Sequence, residues 1–275
     1  MTVPSVVTNS RRTQLTSPDI REKARRIVEL FRDRRPIEIL PAELYPVNLE
    51  EAYAIRRAFQ EIEETEGRGP IAGYKIGLTT PVMQKLCGIE EPCYGAIFAR
   101  EVHHRRAELA AADYCRLGVE TEIAFQLGED PPQGGAPADI SAAVETCMAA
   151  IELIEDLRYD YNRLDAAAMV AGNVWNAGVV LGTPVTDWRA RDLARIGARL
   201  SINGHEIGSG NGGDVMGHPL NALAWLADKL AAAGTPLRRG MIVMTGSMVP
   251  IQYPAAGDRV LVEISGLGTA ELVLS

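Results

Sequence analysis

Two hydrophobic periods divide the chain. Ile20, Ala24, Ile27, Val28 and Phe31 recur three and four positions apart, which predicts an amphipathic helix. Ser17-Pro18-Asp19 supplies its start: a capping hydroxyl, a proline at the first helical position and an acid in the first turn. Pro36 and Pro41 end it. A second helix is predicted from Asn48 through Ala52, Ile55, Phe59 and Ile62. These helices make an expected N-terminal helical subdomain, residues 17–68. A Ser-, Thr- and Arg-rich stretch, residues 1–16, precedes it and is expected to be disordered.

From Gly69 the texture changes to short apolar runs bounded by glycine and proline, a β-rich domain over residues 69–275. Gly73 to Gly77 reads as a strand. Val119 to Leu127 alternates, with Val119, Thr121, Ile123, Phe125 and Leu127 on one face. Gly178 to Gly182 has the composition of a buried strand. Leu200 to Ile202 and Glu206-Ile207 flank Asn203-Gly204, a strong hairpin signal. Met241 to Thr245, Arg259 to Ile264 and Ala270 to Leu274 complete the strands. One long helix, roughly Pro219 to Ala233, interrupts them, with Gly234 where its C-terminal glycine belongs. The glycine-rich run Gly208 to Gly213 lacks a phosphate-loop lysine and is expected to be a mobile connection or lid. The fold class is α+β, a helical N-terminal part on a mainly β domain.

At 275 residues and a formal charge of −8, the chain can bury a large core and lacks the basic balance that nucleic acid requires. No run approaches the roughly 20 apolar residues of a membrane span. Cys87, Cys93, Cys115 and Cys147 show neither paired spacing nor nearby histidines, which suits free thiols in a reducing, cytoplasmic setting.

The chemistry concentrates in acids. Glu120-Thr121-Glu122 sits on the alternating strand, so both carboxylates project from the face opposite Val119 and Ile123, about 6–7 Å apart. Gly118 and Ala124 beside them leave space. Such a pair repels unless a cation lies between, and hard divalent ions prefer oxygen ligands. A solvated strand face would show the same alternation. Glu152 is a lone acid inside the apolar run Ala149 to Ile154; it is either a third metal ligand, a partner for an arginine such as Arg158, or a surface position on a helix. Lys75, between glycines, could bind a carboxylate or move a proton, or simply reach solvent. Thr245-Gly246-Ser247 could hold a carboxylate or form a plain turn, and His218 could cap the helix behind it.

Taken in order, GYKIGLTT (73–80), VETEIAF (119–125), AIELIED (150–156), GNVWNAGVVLG (172–182), GHPLNALAWLADKL (217–230) and GMIVMTGSMVP (240–250) resemble the fumarylacetoacetate hydrolase superfamily, in its 2-keto-4-pentenoate hydratase and 2-oxo-3-hexenedioate decarboxylase branch. The resemblance implies a mixed β-roll with an N-terminal helical region. It implies Mg2+ (or Mn2+) held by Glu120, Glu122 and Glu152, with Lys75 in proton transfer or carboxylate binding and Asn173 and Ser247 in segments lining the pocket. It also implies a small 2-oxo acid substrate, a homo-oligomer, and a complex with a pathway decarboxylase or aldolase.

The expected activity is a lyase: hydration of a 2-hydroxy-2,4-dienoate to a 4-hydroxy-2-oxo acid. The alternatives are decarboxylation of a vinylogous 2-oxo diacid, hydrolysis of an acylpyruvate, and a non-catalytic partner subunit. Two departures bear on the choice. Cys93 stands where many such hydratases carry aspartate and the decarboxylases an apolar residue, and Ile154-Glu155-Asp156-Leu157 replaces a serine-containing continuation.

Overall fold

A computed structural model describes residues 18–275; the expected disordered stretch 1–16 and the capping Ser17 lie outside the described residues. Helices α1 (Pro18–Asp33) and α2 (Leu49–Glu66) follow the predicted stripes. Asn48 caps α2 by accepting from the Glu51 N–H at 2.9 Å. Ile20, Ala24, Ile27 and Val28 of α1 are buried with Ala52, Ile55 and Phe59 of α2, and Phe31 meets Phe59 edge to face. Their core is completed from far along the chain, by Leu157, Tyr159, Trp175 and helix α5 (Ala166–Ala171), numbered after two short helices, α3 (Pro81–Leu86) and α4 (Pro137–Ala142).

The strands form two mixed sheets. The larger runs, in spatial order, β2 (Cys93–Phe98), β1 (Ile71–Gly77), β10 (Ile242–Ser247), β5 (Leu117–Leu127), β6 (Val144–Glu155), β7 (Asn176–Leu181) and β3 (Val102–His104). The smaller runs β4 (Arg106–Leu109), β12 (Gly268–Leu274), β11 (Arg259–Ile264), β8 (Gly197–Ile202) and β9 (His205–Asn211). Helix α6 (Pro219–Ala232) joins the core between them, where Ile123, Phe125 and Ile151 of one sheet share a cluster with Leu200, Val260 and Leu272 of the other. The larger sheet curls until β2 lies against β7, without closing into a barrel. Its inner face carries a separate apolar cluster of Ile97, Ala124, Met148, Ala150, Val179 and Met244.

One expectation fails. Gly208 to Asn211 is no lid: it belongs to β9, paired along β8, with Gly212 and Gly213 in the turn that follows. Its glycines answer a packing need, since a Cβ on Gly210 would sit 1.9 Å from the Met248 carbonyl oxygen. The predicted turn at Asn203-Gly204 is present, both residues with positive φ.

Candidate metal centre

Alternation on β5 puts Glu120 and Glu122 on one face, and the antiparallel register sets Glu120 directly opposite Glu152 on β6. One carboxylate oxygen from each of the three lies within 4.8 Å of the others. Glu152 therefore belongs to a strand, not a helix, and its cationic partner is Lys75 rather than Arg158: Lys75 Nζ is 3.2 Å from Glu152 Oε1. β1 and β6 are separated by two strands, about 14 Å across a flat sheet, which no lysine spans. The curl of the sheet brings the pair together.

The neighbours aim these groups. Gly246 donates its N–H to Glu122 Oε2 at 2.8 Å, and its φ of +116° with Thr79 packed where a Cβ would stand leaves no room for another residue. Asn176, which no motif in the sequence singles out, donates from Nδ2 to Glu152 Oε1 at 2.9 Å. Even so, Glu122 Oε1 and Glu152 Oε2 are buried with no hydrogen-bond partner among the described residues. Orphaned acceptors of this kind are costly unless a cation takes them.

Charge tells the same story. Burial opposes the Lys75 ammonium, but Glu152, Glu120 and Glu122 outweigh it and hold its pKa above the usual lysine value. Burial, then Glu152, pushes Glu120 up to about 7. Glu122 is raised well above the usual carboxylate value, by burial and by both other acids. Three acids against one ammonium leave two negative charges unbalanced when all are ionised, which matches a divalent cation with oxygen ligands. The residues present fit Mg2+ or Mn2+ on both counts.

The other expected residues sit differently. Ser247 pairs across from Glu122, but its hydroxyl donates to the Val249 carbonyl at 2.6 Å and accepts from the Thr121 N–H at 3.3 Å. Asn173 spends its amide on protein: Oδ1 accepts from Gln60 Nε2 and the Ala96 N–H, and Nδ2 donates to the Ala96 carbonyl. It braces β2 on one side of the site. Cys93 is buried beside Lys75, and burial lifts its thiol to about 12, so it is neutral and serves no acid–base role at physiological pH. His218 caps α6, its Nδ1 accepting from the Leu220 N–H at 3.0 Å.

Known proteins share this arrangement of the chain. A 2-keto-4-pentenoate hydratase from Burkholderia vietnamiensis is 35% identical over 219 residues, covering 79% of this chain and 83% of the relative. A 2-hydroxyhexa-2,4-dienoate hydratase from Comamonas testosteroni is 32% identical over 256 residues, covering 92% and 96%. Among solved structures, the 4-oxalocrotonate decarboxylase from Pseudomonas putida G7, complexed with magnesium and adipate, superposes with a TM-score of 0.86 at 25% identity, covering 96% of this chain and 98% of the other. The family described as fumarylacetoacetate (FAA) hydrolase C-terminal matches residues 99–274, and this chain belongs to it.

Proposed function

We propose that this chain is a metal-dependent hydratase that adds water to a 2-hydroxy-2,4-dienoate and yields a 4-hydroxy-2-oxo acid. The observation that carries the reading is the convergence of Glu120, Glu122 and Glu152, with buried unpartnered oxygens, around one point beside a fixed ammonium. The hydratase names of the relatives support the same reaction. Mg2+ or Mn2+ held by the three carboxylates would supply a Lewis acid for the oxygens of an α-keto acid.

The chain's own residues do the rest. Lys75 has three donors, of which Glu152 takes one, leaving N–H groups and a positive charge for the substrate's carboxylate or enolate oxygen. Asn176 and the Gly246 N–H keep Glu152 and Glu122 from rotating away. In the reaction the terminal carbon gains a proton, C4 gains hydroxide, and the dienol becomes the ketone, so one water is consumed. A homo-oligomer and a complex with a pathway decarboxylase or aldolase belong to the same reading and rest on family resemblance. No helix among the described residues is long and apolar enough to cross a membrane.

A second reading has a specific observation behind it: the P. putida decarboxylase superposes over nearly the whole chain. One assay separates the two. The purified protein is given 2-hydroxypenta-2,4-dienoate and, separately, 4-oxalocrotonate, before and after chelation. Loss of the dienoate with formation of the hydroxy-oxo acid, abolished by chelator and restored by Mg2+, is expected. Full activity without metal defeats the metal assignment, and carbon dioxide from the diacid without hydration of the dienoate puts the decarboxylase in its place.

A further inference from the structure

Residues Asn173, Val174 and Trp175 all have positive φ, at 55°, 47° and 58°. Three successive residues other than glycine in the left-handed region are energetically uphill for L-amino acids, and a β-branched valine is among the worst suited. Each is nevertheless buried. The surroundings over-determine the turn. Asn173 is pinned to both backbone polar groups of Ala96, and Trp175 stacks on Tyr159 with ring centroids 4.7 Å apart. A Cβ on Gly95 would lie 2.3 Å from the Asn173 carbonyl oxygen, so β2 must carry glycine there for the turn to fit.

The turn delivers the Val174 side chain to the site. A Cβ on Gly77 would lie 3.1 Å from Val174 Cγ1, 3.5 Å from Lys75 Nζ and 3.6 Å from Cys93 Sγ. The notch left by the missing side chain of Gly77 is thus shared by a methyl group, an ammonium and a neutral thiol. Glu152 stands 3.2 Å from that ammonium, and the Val174 methyl and the Cys93 thiol border the same notch.

We propose that Val174 is a positioning residue: the strained turn is kept because it lays the valine over Gly77, excludes water from that side of Lys75 and fixes the ammonium on Glu152. Strain held at such a place is the expected signature of a geometry needed for function rather than for stability. The inference deepens the hydratase reading and rests on it for the kinetic consequence alone.

Val174→Gly and Val174→Ala are compared with the unaltered protein in three measurements. The first is melting temperature. At a right-handed position glycine is the less stable of the two; here Val174→Gly melts above Val174→Ala by about 2 °C or more, because glycine accepts the positive φ. The second is reductive methylation, read by mass spectrometry on the Lys75 peptide with exposed Lys85 as internal reference. Labelling of Lys75 rises several-fold in both variants. The third is turnover of 2-hydroxypenta-2,4-dienoate well below the melting range: kcat falls about ten- to a hundredfold with KM changed less than about threefold, as for a misplaced catalytic group.

Lys75 as protected as in the unaltered protein, or kcat unchanged in both variants, overturns the proposal. Val174→Ala keeps the test decisive where the glycine variant folds poorly. Should the unaltered protein leave the dienoate untouched, the hydratase reading fails by itself, and the labelling still decides whether Val174 positions Lys75.

Discussion

Glu152 and Asp156 are buried acids four residues apart on one run of chain, and their partners differ in kind. Asp156 is saturated. Its Oδ2 accepts from the Arg116 guanidinium and from the hydroxyls of Tyr161 and Tyr253, at 3.1 and 3.0 Å. Its Oδ1 accepts from the N–H groups of Arg158 and Tyr159. Arg116 also lies over the Tyr253 ring, 4.1 Å from its centroid. One carboxylate thereby ties together the entry to β5, the segment after β6 and the loop beyond β10. Glu152 has Lys75 and Asn176 on one oxygen and, among the described residues, no hydrogen-bond partner on the other. A buried acid whose every lone pair is used holds architecture; one left half-used, next to two more acids, is arranged for a cation.

Substitution should separate the two roles. The largest effect is expected for Glu152→Gln, which removes one of the three proposed ligands while keeping shape: kcat/KM falls on the order of 10³-fold or more, the loss of several kcal/mol of charge stabilisation. The rise in melting temperature on adding Mg2+ disappears, and the metal-free melting point moves by about 3 °C or less, because Glu120 and Glu122 still offset the buried Lys75 ammonium and are relieved of a repelling neighbour. Asp156→Asn gives the opposite pattern. Breaking its part-buried pair with Arg116 and weakening the hydrogen bonds gathered on the same carboxylate costs about 3 kcal/mol, a fall of roughly 10 °C in melting temperature, while the Mg2+ concentration for half-maximal activity stays within about threefold. A variant at Asp156 that melts normally but no longer responds to Mg2+ would erase the distinction.

The same contrast explains what could be read from the sequence. The helices, the hairpin and the alternating strand follow from local periods, and local periods were enough to put Glu120 and Glu122 side by side. The contact of Lys75 with Glu152 depends on how far a sheet curls, which no local pattern states; family resemblance brought both residues into view without showing that they touch. Asn173 is the converse case. It lies in a matched segment, yet its amide is satisfied by Gln60, 113 residues away, and by the backbone of β2. The glycines at 208–213 mimic a flexible loop because a requirement for close backbone approach has the same composition as a requirement for freedom. The left-handed turn at Val174 gives no signal at all, since valine is the residue least expected there.

Glu155 sharpens the comparison with the smallest effect. It lies between the two acids in the sequence and accepts from the Cys115 N–H at 2.8 Å. Burial pushes its carboxyl up to about 7, against the backbone N–H groups of Cys115 and Arg116. A carboxyl whose pKa is higher folded than unfolded binds its proton more tightly in the native state. Its contribution to stability is therefore complete below about pH 4.5 and lost as pH rises through about 7. Glu155→Gln, an uncharged mimic of the protonated acid, should match the unaltered protein at pH 5 and melt about 2–4 °C above it at pH 8. Because the acids of the proposed metal site are common to both proteins, the difference between them isolates Glu155, and chelator in both samples removes any contribution from bound metal. An equal gap at the two pH values would mean that the carboxyl ionises as it does in the unfolded chain, and Glu155 would then belong with Asp156 as an ordinary structural anchor.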